Sequence, residues 1–300
     1  MTAPDPRSLR LGFVGLGQIG APMAARWIGW PGGLTVFDVA EAAVAPLEAR
    51  GATVAPEVGA LAAVCDVVSV MVRDDGQVRE VVGAVAGAAA PGTAVVVHST
   101  VDTHTPAELA ERCAQRDIGY LDAPVSGGFM GASDGTLAVM VGGDADVLDR
   151  VRPALDEQAG LIAHLGPVGA GTRAKLARNL ITFASYAAVG EACRLAEAAG
   201  VDLVRLGDVV RHSDRITGGP GAIMLRDSVT PLAEDDGLRP IFEHTRGLGE
   251  KDLQLAIELG RTVAVDTDIA EHALRWLAPA LGVPHDDAAD GEGRGTPPDA

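Results

Sequence analysis

Residues 12–24 read GFVGLGQIGAPMA and place Gly15, Gly17 and Gly20 in a G-x-G-x-x-G pattern. The apolar run LRLGFVG precedes the glycines, and PMAARWIGW follows them at helical spacing. In a strand–turn–helix of this kind the first glycine permits a tight turn. The second lets a pyrophosphate approach the backbone, and the third lets helix and strand pack closely. The helix N-terminus then faces the phosphates. Pro22 is tolerable there because the first helical turn has no backbone donors to lose. A glycine-rich turn can also be purely structural, so the next strand, LTVFDV, matters: it closes on Asp38, 18 residues after Gly20. A carboxylate at that point can accept from a ribose 2′-hydroxyl and repels a 2′-phosphate, and no arginine follows at 39 to 41. The expected cofactor is NAD, with NADP second. The residues expected to hold it are Gly15, Leu16, Gly17, Gln18, Ile19, Gly20 and Asp38. Met71 and Val72, at the end of DVVSVMV, and Thr100, just after TAVVVHS, complete that set.

Outward from this motif the first half of the chain alternates. AVAPLEARG, GQVREVVGAV, PAELAERCAQRD and DVLDRVRPALDEQA have helical spacing, while DVVSVMV, TAVVVHS, GYLDAPV and TLAVMVGG are strand-like. Nearly all-apolar strands alternating with helices indicate a doubly wound parallel sheet covered on both faces. Beyond Pro167 the pattern is helical only: residues 170–199, VDLVRLGDVVRHS, EKDLQLAIELGRTV and DIAEHALRWLAPAL. Asp268 with Glu271 reads as a capping box for the last helix. The expected organisation is α/β: a Rossmann-type domain over 9–168, then an all-helical domain over 169–284 that opens with a long interdomain helix. Residues 285–300 have the composition of a disordered acidic tail.

A net charge of −17 disfavours a nucleic-acid partner, because little is left to neutralise phosphates. The tail from Asp286 carries five acids against Arg294, so the body remains acidic by about 13. Hydrophobic residues make up 47% of the chain, enough for a large core, yet no run has the length of a membrane span. Three scattered cysteines, Cys65, Cys113 and Cys193, fit neither a disulfide framework nor a zinc site, and the seven histidines show no metal spacing. The expectation is a cytoplasmic protein without a metal, a membrane or a nucleic-acid partner. No G-x-S-x-G occurs, which disfavours a serine hydrolase.

Two stretches carry further polar groups. In YLDAPVSGGFMGASDG, Ser126, Gly127 and Gly128 would expose backbone N–H groups and a hydroxyl at the carboxyl end of a strand. Such a nest suits a carboxylate, although a plain glycine turn reads the same way. Ser99 and Thr100 could touch substrate or nicotinamide, or cap the helix that follows. In AGTRAKLARNLITFASYAAVGEA, residues 170–192, the composition is that of a largely buried helix. Yet Lys175, Asn179, Thr182 and Tyr186 share one narrow stripe. A lone helical lysine is usually solvated. Here the helix begins where the sheet domain ends, so its first turns should face an interdomain crevice, where partial desolvation lowers a lysine pKa toward acid–base use.

GFVGLGQIGAPMA, DAPVSGGFMGASDGTLAVMVGG, GAGTRAKLARNL and KDLQLA occur in the order and spacing of the β-hydroxyacid dehydrogenase family, which this chain resembles over about 9 to 280. The resemblance implies a 6-phosphogluconate dehydrogenase-like fold and NAD(P)-dependent interconversion of a 3-hydroxy acid, 3-hydroxyisobutyrate-like, with its semialdehyde. It implies Lys175 and Asn179 as catalytic and substrate-binding residues, Ser126, Gly127 and Gly128 as the substrate-carboxylate loop, and Lys251 near the cofactor. A homodimer or homotetramer joined through the helical domain is implied as well. Two departures stand out. Arg178 replaces a second asparagine, and His244 and Arg246 in FEHTRGLGEKDL replace an apolar run, an exchange that could suit a more polar or dianionic acid. The rivals are an imine reductase-like enzyme, which usually carries an acidic or aromatic residue at the lysine position, and a non-catalytic dinucleotide-binding protein.

Overall fold

The computed structural model describes residues 6–223, 225, 226 and 228–285. The acidic tail foreseen from 285 thus lies, apart from His285, outside the described residues. The chain divides into two compact units, residues 1–179 and 180–300.

In the first unit the described strands are β1 (Leu11–Val14), β2 (Leu34–Phe37), β3 (Thr53–Val54), β4 (Val67–Val70), β5 (Ala94–Val97), β6 (Gly119–Asp122), β7 (Val125–Ser126), β8 (Leu137–Gly143) and β9 (Ala159–His164). They form one sheet in the order β3-β2-β1-β4-β5-β6-β8-β7, with β9 paired to β8. From β1 to β6 every pairing is parallel. The helices are α1 (Gly20–Ala25), α2 (Glu41–Glu48), α3 (Val58–Val64), α4 (Asp75–Ala88), α5 (Thr105–Ala114), α6 (Gly128–Asp134) and α7 (Ala145–Leu155). This is the expected Rossmann-type arrangement, and its strand order reverses between β1 and β4, where such sheets open a ligand crevice. The alternation changes character after β6, because β8 runs antiparallel to both β6 and β7. The connection through β7 and the short α6 turns the chain back instead of crossing over, as antiparallel neighbours allow.

Alternation along the strands explains the two-sided core. Leu11 and Phe13, and likewise Ala94 and Val96, face one apolar cluster; Val14, Val95 and Val97 face the other. Each such aliphatic or aromatic side chain taken fully out of water contributes roughly 1.5–3 kcal/mol. Trp27 locks α1 to α7, its ring edge-on to Phe13 with centroids 5.7 Å apart and its Nε1–H donating to Ala154 O at 2.7 Å.

In the chain from 170 onward all described regular structure is helical: α8 (Ala170–Ala198), α9 (Leu203–Thr217), α10 (Arg239–Val263) and α11 (Asp268–Leu281). The capping box foreseen for α11 does not form. Thr267 is the N-cap residue and its side chain accepts no capping bond; instead the buried carboxylate of Glu191 on α8 accepts from Ile269 N and Ala270 N, both at 2.9 Å. A carboxylate from another helix meets the free donors better than a local side chain already drawn into solvent. The expectation that residues 170–192 are largely buried is also overturned: Leu180 is 71% exposed and Phe183 61%, and α9 buries none of its residues. Among the described residues these apolar side chains find no cover in the chain itself. No described helix is long and apolar enough to cross a membrane.

Candidate active site

At the crevice between β1 and β4 a cleft of about 550 Å³ is lined by Gly15, Gly17, Asp38, Met71 and Val72, with Glu57, Val58, Arg73, Gln77, Glu80 and Val81 around them. Gly15 has φ +92°, and its backbone sits so close to Met71 that a Cβ would fall 2.2 Å from Met71 O. At Gly17 a Cβ would meet no atom of the chain within 4 Å: a side chain there would fill open cleft. The cradle therefore has the shape and size for an adenosine and its pyrophosphate. Asp38 is part-buried and tied into the turn, with Oδ2 accepting from Leu16 N at 2.6 Å and Oδ1 from Ala40 N at 2.7 Å. Of the other expected cofactor residues, Gln18 is exposed beside the turn, while the side chains of Leu16 and Ile19 pack against the core. Thr100 lies exposed after β5, and the cleft's wall does not include it. Ser99 is committed elsewhere: its hydroxyl accepts from Val72 N at 2.9 Å and donates to Val72 O at 2.7 Å, pinning the end of β4 to that of β5. The contributions of α3 and α4 to this wall were not legible in the sequence, because a short run such as VGALAAV carries no polar face to orient it.

The lysine site is built on the segment that leaves β6. Gly127 and Gly128 have φ +136° and +61°, left-handed values that only glycine adopts without strain, so the chain turns sharply after Ser126. Lys175, in the second turn of α8, reaches back to this segment and donates from Nζ to Val125 O at 2.7 Å. It is half-buried, and burial pushes its ammonium below the ordinary 10.5, with the charge of Arg178 adding to the same effect. Arg178 Nη1 also approaches Asn179 Oδ1 at 3.4 Å, so Asn179 is next in line along the helix. Lys175 and Lys251 are the only lysines in a sequence with 24 lysines and arginines. A guanidinium keeps its proton at any working pH, whereas an ammonium can be tuned to give it up.

Residues 10–166 match the family described as the NAD binding domain of 6-phosphogluconate dehydrogenase, and residues 169–290 that described as NAD-binding of NADP-dependent 3-hydroxyisobutyrate dehydrogenase. Mycobacterium tuberculosis 3-hydroxyisobutyrate dehydrogenase, solved with L-serine, is similar with 33% identity and a TM-score of 0.65, over 90% of this chain and 92% of that one. The chain belongs to the β-hydroxyacid dehydrogenase family. An uncharacterized oxidoreductase of Mycobacterium tuberculosis is 54% identical over 290 residues, covering 96% of this dehydrogenase and 98% of the relative. The 2-(hydroxymethyl)glutarate dehydrogenase of Eubacterium barkeri is 33% identical over 265 residues, 85% of this chain and 83% of its own.

In the second unit Lys251 is exposed on α10 and paired with Asp252 at 3.1 Å. His244 is exposed on the same helix. Arg246, read from sequence as a group that could reshape the substrate end, is instead turned into the unit. It bonds Pro284 O and lies 3.8 Å from Glu250, whose other oxygen is 3.4 Å from His285. A guanidinium so engaged anchors the chain after α11, a role that sequence spacing could not reveal.

One histidine of the dehydrogenase's sheet gives a pH-dependent stability. His98 is fully buried, its Nδ1–H donating to Ala123 O at 2.9 Å, so Nε2 accepts from the Ser69 hydroxyl at 3.0 Å. Burial pushes its pKa from 6.5 down to about 4. Because the folded pKa is depressed, the neutral ring's contribution is complete above 6.5 and is lost as pH falls toward 4, by about 3 kcal/mol in all. A His98→Asn variant keeps the donor but cannot charge. Urea unfolding of the two proteins between pH 7 and 4 should show the wild type losing its margin faster; parallel curves would rule out this origin.

Proposed function

We propose that this enzyme interconverts a small 3-hydroxy acid, 3-hydroxyisobutyrate-like, and its semialdehyde, with NAD preferred over NADP. The observation that carries the reading is the half-buried Lys175 held 2.7 Å from Val125 O, next to the loop 126–128. Nicotinamide, when bound, supplies the hydride acceptor or donor. The N–H groups and hydroxyl of the loop 126–128 hold the substrate carboxylate. Lys175 Nζ, as the neutral amine, takes the proton of the substrate hydroxyl; as the ammonium it returns one to the carbonyl oxygen in the reductive direction. Asn179, one helical turn on, orients that oxygen by hydrogen bonding. The preference for NAD is supported by three carboxylates on the cleft wall, Asp38, Glu57 and Glu80, against the single guanidinium of Arg73. Uncovered apolar residues on α8 and α9 support a homodimer or homotetramer joined through the helices.

The test is formation of reduced nicotinamide with 3-hydroxyisobutyrate, L-serine and 2-(hydroxymethyl)glutarate, each with NAD and NADP, and the reverse reaction with cyclic imines as controls. Turnover of at least one acid with NAD favoured by about tenfold or more is expected. NAD binding without turnover of any acid would leave a dinucleotide-binding protein, and turnover of imines alone an imine reductase.

A further inference from the structure

Three residues before Val125, Asp122 ends β6 with a carboxylate that is 1% exposed. A buried carboxylate is costly unless N–H groups meet it. Oδ1 accepts from Gly169 N at 2.7 Å and Oδ2 from Thr172 N at 2.7 Å. These amides belong to the start of α8, where a helix has donors without partners of its own and favours a negative charge. Thr172 precedes Lys175 by three residues, as Asp122 precedes Val125. The segment leaving β6 and the first turns of α8 are thus tied twice in step, carboxylate to amide and then carbonyl to ammonium.

Sterics fix the same contact. Gly142 on β8 is the register partner of Asp122, and a Cβ there would stand 2.5 Å from Asp122 Oδ1 and 2.8 Å from the amide nitrogens of Ala170 and Gly171. A Cβ at Gly171 would fall 2.2 Å from Met140 O and 2.5 Å from Asp122 O. The first turn of α8 therefore lies flush on β6 and β8, and the carboxylate determines where it rests.

We infer that Asp122 is a positioning residue for the reaction: by holding the first turn of α8 on the sheet it sets Lys175 Nζ beside the segment 125–128. The inference rests on Lys175 being the acid–base group. Asp122→Asn sets an amide NH2 against one of the two N–H donors and loosens the turn. Turnover should fall about 10- to 100-fold, while the Kd for NAD stays within about twofold. With only two lysines, a lysine-labelled protein yields two side-chain NMR signals, and Lys251→Arg assigns them. In Asp122→Asn the Lys175 signal should titrate higher, toward an ordinary lysine, while the Lys251 signal serves as the internal control. In a Lys175→Ala background Asp122→Asn should change residual turnover by no more than about twofold.

Should Asp122→Asn fail to fold, Gly142→Ala pushes the same turn from β8 and is expected to give the same signature. A lower Tm with turnover and the Lys175 titration unchanged, in either variant, overturns the inference. If Lys175→Ala itself keeps its turnover, the acid–base reading has failed instead, and the titration still decides whether Asp122 sets the lysine's surroundings.

Discussion

Lys175→Ala should lower turnover by roughly 10²- to 10⁴-fold, the usual contribution of a general acid–base group, while NAD binds as before. The separation follows from the structure: the cleft wall is made by the β1 turn, β2, β4, α3 and α4, and Lys175 is not part of it. Lys175→Arg should be no better than alanine, since a guanidinium does not release its proton. The pH dependence carries the sign. Oxidation requires the neutral amine, so its rate rises with pH through a pKa below 10.5. Reduction requires the ammonium and falls over the same range. Both limbs should vanish in the variants. A pH–rate profile with the wild-type limbs in Lys175→Ala would transfer the role to another group.

Gly20→Ala and Gly17→Ala should separate fold from cofactor. At Gly20 an added Cβ would lie 2.0 Å from Gly15 O and 3.2 Å from the buried ring of Phe13. Neither backbone nor core ring can yield cheaply. The variant should lose about 1–3 kcal/mol of stability and bind NAD about 10- to 100-fold more weakly, because the turn must open. At Gly17 the methyl meets nothing in the chain within 4 Å. That variant should unfold at the wild-type urea concentration and still bind NAD weakly, if the methyl projects into the path proposed for the pyrophosphate. Calorimetric titration with NAD beside urea melts reads both quantities. Wild-type affinity in Gly17→Ala would place the pyrophosphate elsewhere.

Much of the fold is legible because its signals are local. Three glycines between an apolar strand and a helix, then Asp38, identify the first βαβ unit. The apolar strands identify a sheet covered on both faces. What escaped was short or decided at a distance. The two-residue β3 is too brief for any period to register, and α3, α6 and β9 mix small or glycine residues with apolar ones in no clear period. The reversal of β8 is a matter of partners, to which residue alternation is blind.

Local chemistry raised Lys175 and Asn179 as candidates on one helical stripe, whereas the loop 126–128 alone read as readily as a glycine turn and gained its expected role from the family resemblance. Residue type left Arg246 open and misled at Asp268 and Leu180. Arg246 is engaged with Pro284 and Glu250; a capping box was displaced by Glu191, 77 residues earlier in the chain; and the apolar side chains of Leu180 and Phe183 find no cover among the described residues.

The sequence by itself determined the α/β class and the glycine turn with its carboxylate, and it nominated Lys175 as a helical lysine worth testing. Only the tertiary structure decided that Asp122 caps α8, that Val125 O meets Lys175 and that Ser99 is spent on Val72. Each of these joins a group at the end of one strand to a partner 27 to 50 residues later or earlier. Periodicity records which face a side chain occupies, whereas a hydrogen bond depends on where two distant backbones come to lie.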